Sequence, residues 1–170
     1  MDKSLVKDII IPIVSLIISI WAIIKSYITD AKANKLSEEN TKLANANIEL
    51  EIRNLIRETR KDLDDKLAKF LFLKEKEKKN SLTQDEKINL PICEKQLNNA
   101  KQEYLNAYEA ACMKYIDGKI DKERFKKTYV IELRNIVGSV SLKKYIDSTS
   151  SPYNAIKKVY TEWNNLEENT

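Results

Sequence analysis

The chain has 170 residues, with 30 basic and 26 acidic side chains, two glycines, three prolines, two cysteines and no histidine. Without histidine it can build neither a Ser-His-Asp or Cys-His catalytic unit nor a His-ligated metal site. Two glycines cannot supply a Gly-rich phosphate loop or the turns of an all-β fold, and two cysteines lack the spacing of a zinc or CxxC centre.

After a short N-terminal tail, residues 1–8, the stretch from Ile9 to Ile24 holds sixteen residues without a charge, nine of them isoleucine, interrupted only by Pro12, Ser15 and Ser19. As a helix it spans about 24 Å, and extending it through Lys25, Ser26, Tyr27 and Ile28 brings it close to the ~30 Å of a bilayer core. At roughly −0.3 to −0.6 kcal/mol per central Ile, Leu or Val, insertion is favourable by several kcal/mol. A transmembrane anchor is therefore expected over residues 9–28. A cleaved signal peptide is the main competing reading, because Ala31-Lys32-Ala33 has the small-x-small form of a cleavage site. The flank Asp2-Lys3 and Lys7-Asp8 is charge-balanced, however, and the apolar run ends well before Ala33, which favours an uncleaved anchor. Lys25, Lys32, Lys35 and Lys42 on one side outnumber Lys3 and Lys7 on the other, placing the bulk of the chain in the cytoplasm. Within the span, Ser15, Ser19, Ala22 and Ser26 recur at helical spacing and form a strip of small residues, a packing face of the kind that lets membrane helices approach closely.

Residues 29–79 contain no Gly or Pro from position 30 onward and read as a helical stalk of about 70 Å. Leu36, Leu43 and Leu50 repeat in sevens, with Asn40, Asn47 and Asn54 four residues after each. Leucine at d with asparagine at a is the seam of a two-stranded coiled coil whose asparagines set register at a cost in stability. A single exposed stalk and a stalk packed on later helices are the alternatives. From Ile48 the apolar stripe grows richer through Ile52, Leu55, Leu63, Leu67 and Phe70, as in a helix packed on its own domain.

Lys74 to Asn80 reads as the frayed end of this helix. Residues 80–91 form a linker in which Thr83-Gln84-Asp85-Glu86 is a capping box opening a short helix, with Pro91 stopping it or starting the next. Residues 92–170 are the C-terminal helical domain. Its first helix carries Leu97, Ala100, Tyr104, Tyr108, Ala111 and Tyr115 at spacings of three and four, and Gly118 ends it. Asp121 caps a helix with Phe125, Tyr129, Leu133 and Ile136, closed by Gly138. A short piece covers Leu142 to Ile146, and Ser151-Pro152 opens a last helix with Ile156, Val159, Trp163 and Leu166. The fold class is all-α: a transmembrane helix, a long stalk and a C-terminal bundle of four or five helices.

Asp117-Gly118-Lys119-Ile120-Asp121 imitates the middle of a calcium loop, but Met113, Tyr115 and Arg124 stand where oxygen ligands are needed. Gly118, Ile120 and Asp121 are instead expected to form a helical-hairpin turn: stop, pack back and restart. Cys93, following Pro91 near an expected helix start, is where a thiol pKa could fall; Cys112 lies in an apolar segment. Asp62, Asp64 and Asp65 crowd one helix without ligand partners. No metal, cofactor, small-molecule substrate or enzymatic activity is expected. Lysine pairs are interspersed with acids and only five of the 30 cations are arginine, which is a solvated helix surface rather than a nucleic-acid face. The 25 lysines, 21 isoleucines and 15 asparagines all use AT-rich codons, in keeping with a bacterial or mobile-element gene.

The segment Tyr115-Ile116-Asp117-Gly118-Lys119-Ile120-Asp121-Lys122-Glu123-Arg124-Phe125-Lys126 resembles the helical hairpin of many bacterial proteins, among them a short C-terminal domain family with a Gly-x-Ile-x-x-Glu-x-Phe turn. Together with Tyr104-Leu105-Asn106-Ala107-Tyr108-Glu109 and the N-terminal anchor, it resembles small single-pass helical proteins of bacteria and prophages. That resemblance covers residues 104–136, brings no catalytic residues and implies a setting such as anti-phage or phage-exclusion systems. The expectation is a cytoplasm-facing interaction protein of the bacterial inner membrane, an adaptor or regulator with the bilayer, protein partners or a second copy in a dimer as its contacts. The alternative is a membrane-acting effector that uses a self-associating transmembrane helix.

Overall fold

A computed structural model describes residues 11–168. Among these residues the protein is all-α, with five helices: α1 (Ile11–Lys78), α2 (Gln84–Ile116), α3 (Lys122–Gly138), α4 (Val140–Ile146) and α5 (Asn154–Glu168). The expected tail 1–8 and the first two residues of the expected anchor lie outside the described residues. The chain divides into two units, Met1–Ala44 and Asn45–Thr170.

In the first unit every side chain from Ile13 to Ala44 is exposed. The contacts there are local to one helix: Ser19 and Thr29 donate to the carbonyls of Ser15 and Lys25, both at 2.8 Å, and Lys42 pairs with Glu38 at 2.6 Å. Among the described residues one helix, the N-terminal part of α1, is long and apolar enough to cross a membrane.

The second unit has one main core. Ile52 and Ile56 of α1 are buried there with Tyr108, Ala111 and Cys112 of α2, Leu133 of α3, Ile146 of α4, and Ile156 and Trp163 of α5. The expected apolar positions of α2 from Leu97 to Tyr115 are all buried, and so are Phe125, Leu133, Ile136, Ile156 and Val159. Aromatic rings join three helices: Tyr115 packs on Phe125 and on Trp163, each at 5.6 Å between centroids. A satellite cluster of Leu73, Leu90 and Cys93, with Phe70 and Leu82, holds α1 to the start of α2.

Directions follow from the polar pairs. Along α2, Asn98 meets Tyr145, Asn106 meets Tyr153, Glu109 meets Ala155 and Ile156, and Tyr115 meets Glu162. The separation stays at 46 to 47 residues, so α5 runs parallel to α2. Arg60 with Glu132 and Glu49 with Asp121 are both 72 apart, so α3 runs parallel to α1. The turn between α1 and α2, where Lys76 pairs with Glu86 at 2.5 Å, reverses the chain. Here Lys76 and the Thr83 N–H, both bonded to Glu86, hold its carboxyl below the usual carboxylate range.

Three local expectations are corrected. Pro91 neither stops nor starts a helix; it lies inside the 33-residue α2. An interior proline removes one backbone bond and costs about 3 kcal/mol, but Leu90 and Cys93 on either side are buried in the satellite cluster, an apolar gain of comparable size. The end of α1 is not frayed: Asn80 adopts φ +49°, and Asn80 and Ser81 donate to the carbonyls of Glu77 and Lys76, both at 3.0 Å. That is a Schellman closure with asparagine in the left-handed position. Finally, Ser151 does not cap the last helix. Its hydroxyl accepts from Tyr153 N–H at 3.3 Å, two residues before α5 is under way. The N–H groups of Ala155 and Ile156 instead donate to the two oxygens of Glu109, at 2.8 and 3.0 Å. A carboxylate from α2 thus serves the orphan donors and positive end of α5.

Glu109→Ala should lower the stability of the detergent-solubilised chain by about 1–2 kcal/mol, the scale of a lost helix cap. Glu109→Gln, which keeps one acceptor oxygen, should lose less. Urea denaturation followed by Trp163 emission measures both, and an unchanged midpoint for Glu109→Ala would remove Glu109 from this role.

Candidate interaction surface

The residues with the most chemical potential are engaged in packing. Cys93 and Cys112 are free thiols, both buried, in separate clusters. Because α2 begins at Gln84, Cys93 sits in the third helical turn rather than at a helix start. Burial pushes the Cys112 thiol up, away from thiolate. Asp62 pairs with Lys66 at 3.6 Å, and among the described residues no three His, Cys, Asp or Glu side chains are grouped to hold a metal. A small cleft between α1 and α3 is lined by Ile52, Arg53, Arg124 and Tyr129, and its arginine Arg124 is paired with Glu49.

The helical-hairpin turn is assembled as its residues predict. Gly118 has φ +66°, the left-handed conformation that favours glycine. Gly118 and Lys119 donate to the carbonyls of Tyr115 and Lys114, at 3.2 and 3.0 Å, which closes α2 by a Schellman motif. Ile120 is buried in the main core. The Asp121 carboxylate accepts from Arg124 N–H at 2.9 Å and caps α3. Glu49 adds a contact that sequence spacing could not reveal, accepting from Asp121 N–H at 3.0 Å and pairing with the Arg124 guanidinium. Gly138 is the last residue of α3 and has no positive φ, so it closes the helix without a left-handed turn.

Two surfaces remain unoccupied by the chain itself. In the first unit Ser15, Ser19, Ala22 and Ser26 are exposed together with the large apolar side chains around them, Ile23 at 69 %. Leu36 and Leu43 are exposed at 59 % and 64 %, with Asn40 between them also in solvent. In the second unit Leu50 is exposed at 55 % and Asn47 stands beside it. Around α1, Leu50 lies about 160° from Ile52 at 100° per residue. The core therefore occupies one face of this helix through Ile48, Ile52 and Ile56, and Asn47 and Leu50 stand on the other. The alternative of a stalk packed on later helices does not hold at Leu50, which is exposed.

One buried polar atom lacks a hydrogen-bond partner among the described residues, the hydroxyl of Tyr108. Its ring makes an edge contact with Tyr104 at 5.0 Å and another with Tyr129 at 6.1 Å, and burial drives its pKa far up. No family model, curated protein or solved structure matches the chain.

Tyr108→Phe should leave stability unchanged or raise it by up to about 1 kcal/mol, because the hydroxyl is desolvated without a compensating bond. Thermal unfolding of the solubilised chain measures it. A loss of stability would mean that the hydroxyl has a partner.

Proposed function

We propose that the chain is a membrane-anchored helical interaction protein, an adaptor or regulatory component. A single N-terminal transmembrane helix would hold it at the bacterial inner membrane, with a stalk and a C-terminal helical bundle in the cytoplasm. The observation that carries this reading is the exposure of the uncharged stretch. From Ile13 to Ile28 eleven large apolar side chains stand in the open. At roughly 1.5–3 kcal/mol each, leaving them in water would forfeit more than the whole stability of an ordinary domain. A bilayer covers such a surface without requiring any complementary shape. Trp21 and Tyr27 beside Lys25 have the composition of an interfacial belt, with the Lys25 ammonium 5.1 Å from the Trp21 ring. Beyond the bilayer, Leu36, Leu43 and Leu50 with their intervening asparagines would form a two-stranded coiled-coil stalk.

An anchored chain should stay in the membrane pellet through alkaline carbonate extraction. Added protease should digest residues 45–170 in inverted inner-membrane vesicles and spare them in intact spheroplasts. Release by carbonate would remove the anchor, and the reverse protease pattern would invert the topology.

A second reading, a membrane-acting effector, draws on the strip of Ser15, Ser19, Ala22 and Ser26. Replacing residues 9–28 by an unrelated Leu/Val transmembrane helix should preserve the cellular phenotype of an adaptor, for which the anchor is a tether. Loss of the phenotype with membrane retention intact would favour the effector.

A further inference from the structure

The small-residue strip of the apolar stretch and the Leu/Asn strip of the stalk share one heptad register. Counting back in sevens from Leu36 gives Thr29, Ala22 and Ser15; counting back from Asn40 gives Ala33, Ser26 and Ser19. No stutter separates the two strips, and α1 is helical throughout this range. Small residues occupy a and d where the surroundings would be lipid, and leucine and asparagine occupy them where the surroundings are water. Each choice suits its solvent. Lipid gives no hydrophobic drive, so close backbone approach carries helix association there, whereas leucine burial carries it in water.

We propose that this strip, in one heptad register from Ser15 to Leu50, is the seam of a parallel, in-register homodimer, so that the occupant of the exposed face is a second copy of this chain. The inference rests on the membrane-anchored reading above. Three features select a second copy in this orientation. An asparagine brought into an apolar seam needs an amide opposite it, and only an identical, unshifted strand supplies one at both Asn40 and Asn47. Flanking charges agree: in a parallel pair Lys25 (g) faces Asp30 (e) of the second copy, and the g–e pairs that follow it in the stalk, Lys32 with Ser37, Glu39 with Ala44 and Ala46 with Glu51, bring no like charges together. Two anchors in one bilayer also enter at the same depth, and a slip of one heptad would displace one of them by about 10 Å. Formation of the seam does not compete with folding, because the main core takes Ile48, Ile52 and Ile56, at heptad positions b, f and c.

Variants of the full chain with one added cysteine, in native membranes, test this directly. Ser19→Cys, Ala33→Cys and Leu43→Cys lie on the seam, while Ile17→Cys, Ala31→Cys and Glu38→Cys lie opposite it. All six positions are exposed, so the substitutions spare the core, and the wild-type chain with its two buried thiols supplies the background. A disulfide joins identical positions only when their Cα atoms come within about 7 Å, which a one-heptad slip or an antiparallel pairing prevents at most positions. With mild oxidant, the three seam variants should shift to twice the 19.8 kDa chain mass and the three opposite variants should remain at background. Absence of disulfides at all six positions, equal disulfides on both faces, or stalk disulfides that change face between Ala33 and Ser19 would overturn the inference. Carbonate extraction of the same membranes reads the anchoring separately. A chain released by carbonate overturns the anchored reading, whereas a retained chain without seam disulfides overturns only the dimer.

Discussion

The last helix is held by a carboxylate that belongs to another helix. Glu109, in the middle of α2, accepts from the N–H groups of Ala155 and Ile156 and so fixes where α5 begins. Farther along the same two helices, Tyr115 donates to Glu162 at 2.7 Å and accepts from the Trp163 indole N–H at 3.1 Å. With both ends of this pairing set, the parallel course of α5 along α2 has one register, and Trp163 can be buried with its only polar atom satisfied. α3 makes the return that two parallel helices require. The polar contacts are few but directional, and they select one arrangement among the many that apolar burial alone would tolerate.

A second constraint is the division of α1 into faces. Ile48, Ile52, Ile56 and Leu63 serve the main core, whereas Leu55, expected in the same stripe, is exposed at 41 %; farther on Phe70 and Leu73 serve the satellite cluster. Leu50 is left outside both. Glu49, next to it, reaches the hairpin turn through Asp121 and Arg124, so adjacent residues of one helix turn toward different partners. A helix with two faces can be built into a domain and still offer a strip for association. The proposed dimer uses the face that the core does not.

Much of the local structure was legible in the residues. Thr83 and Glu86 form the capping box that their spacing announces, and Gly118 and Asp121 end and restart helices as their types require. In each case the signal and its partner lie within a few residues of each other. The errors share the opposite property. Pro91 is tolerated because Leu73 and Phe70, from a different helix, bury the residues beside it. Ser151 yields the start of α5 to Glu109, more than forty residues away. Asn80 has a different reason: asparagine in a lysine-rich run has the composition of solvated chain, although it is the residue after glycine best able to take the left-handed position. For the candidate surface, the heptad spacing of the leucines and the strip of small residues are visible in the sequence. That the chain itself leaves Leu50 uncovered is not, since spacing allows it to pack on later helices.

By itself the sequence determined the all-α class, the helix ends at Thr83, Gly118 and Asp121, the apolar stretch at the N-terminus and the heptad strip, because each depends on residues within one or two helical turns of one another. Only the tertiary structure decided that α5 runs parallel to α2, that Glu109 and Glu49 serve the starts of distant helices, and which apolar residues of α1 the core consumes. Those outcomes depend on pairs 46 to 72 residues apart. No local periodicity encodes such pairs, and they are chosen by which arrangement buries the aromatic rings while leaving the fewest backbone donors unmet.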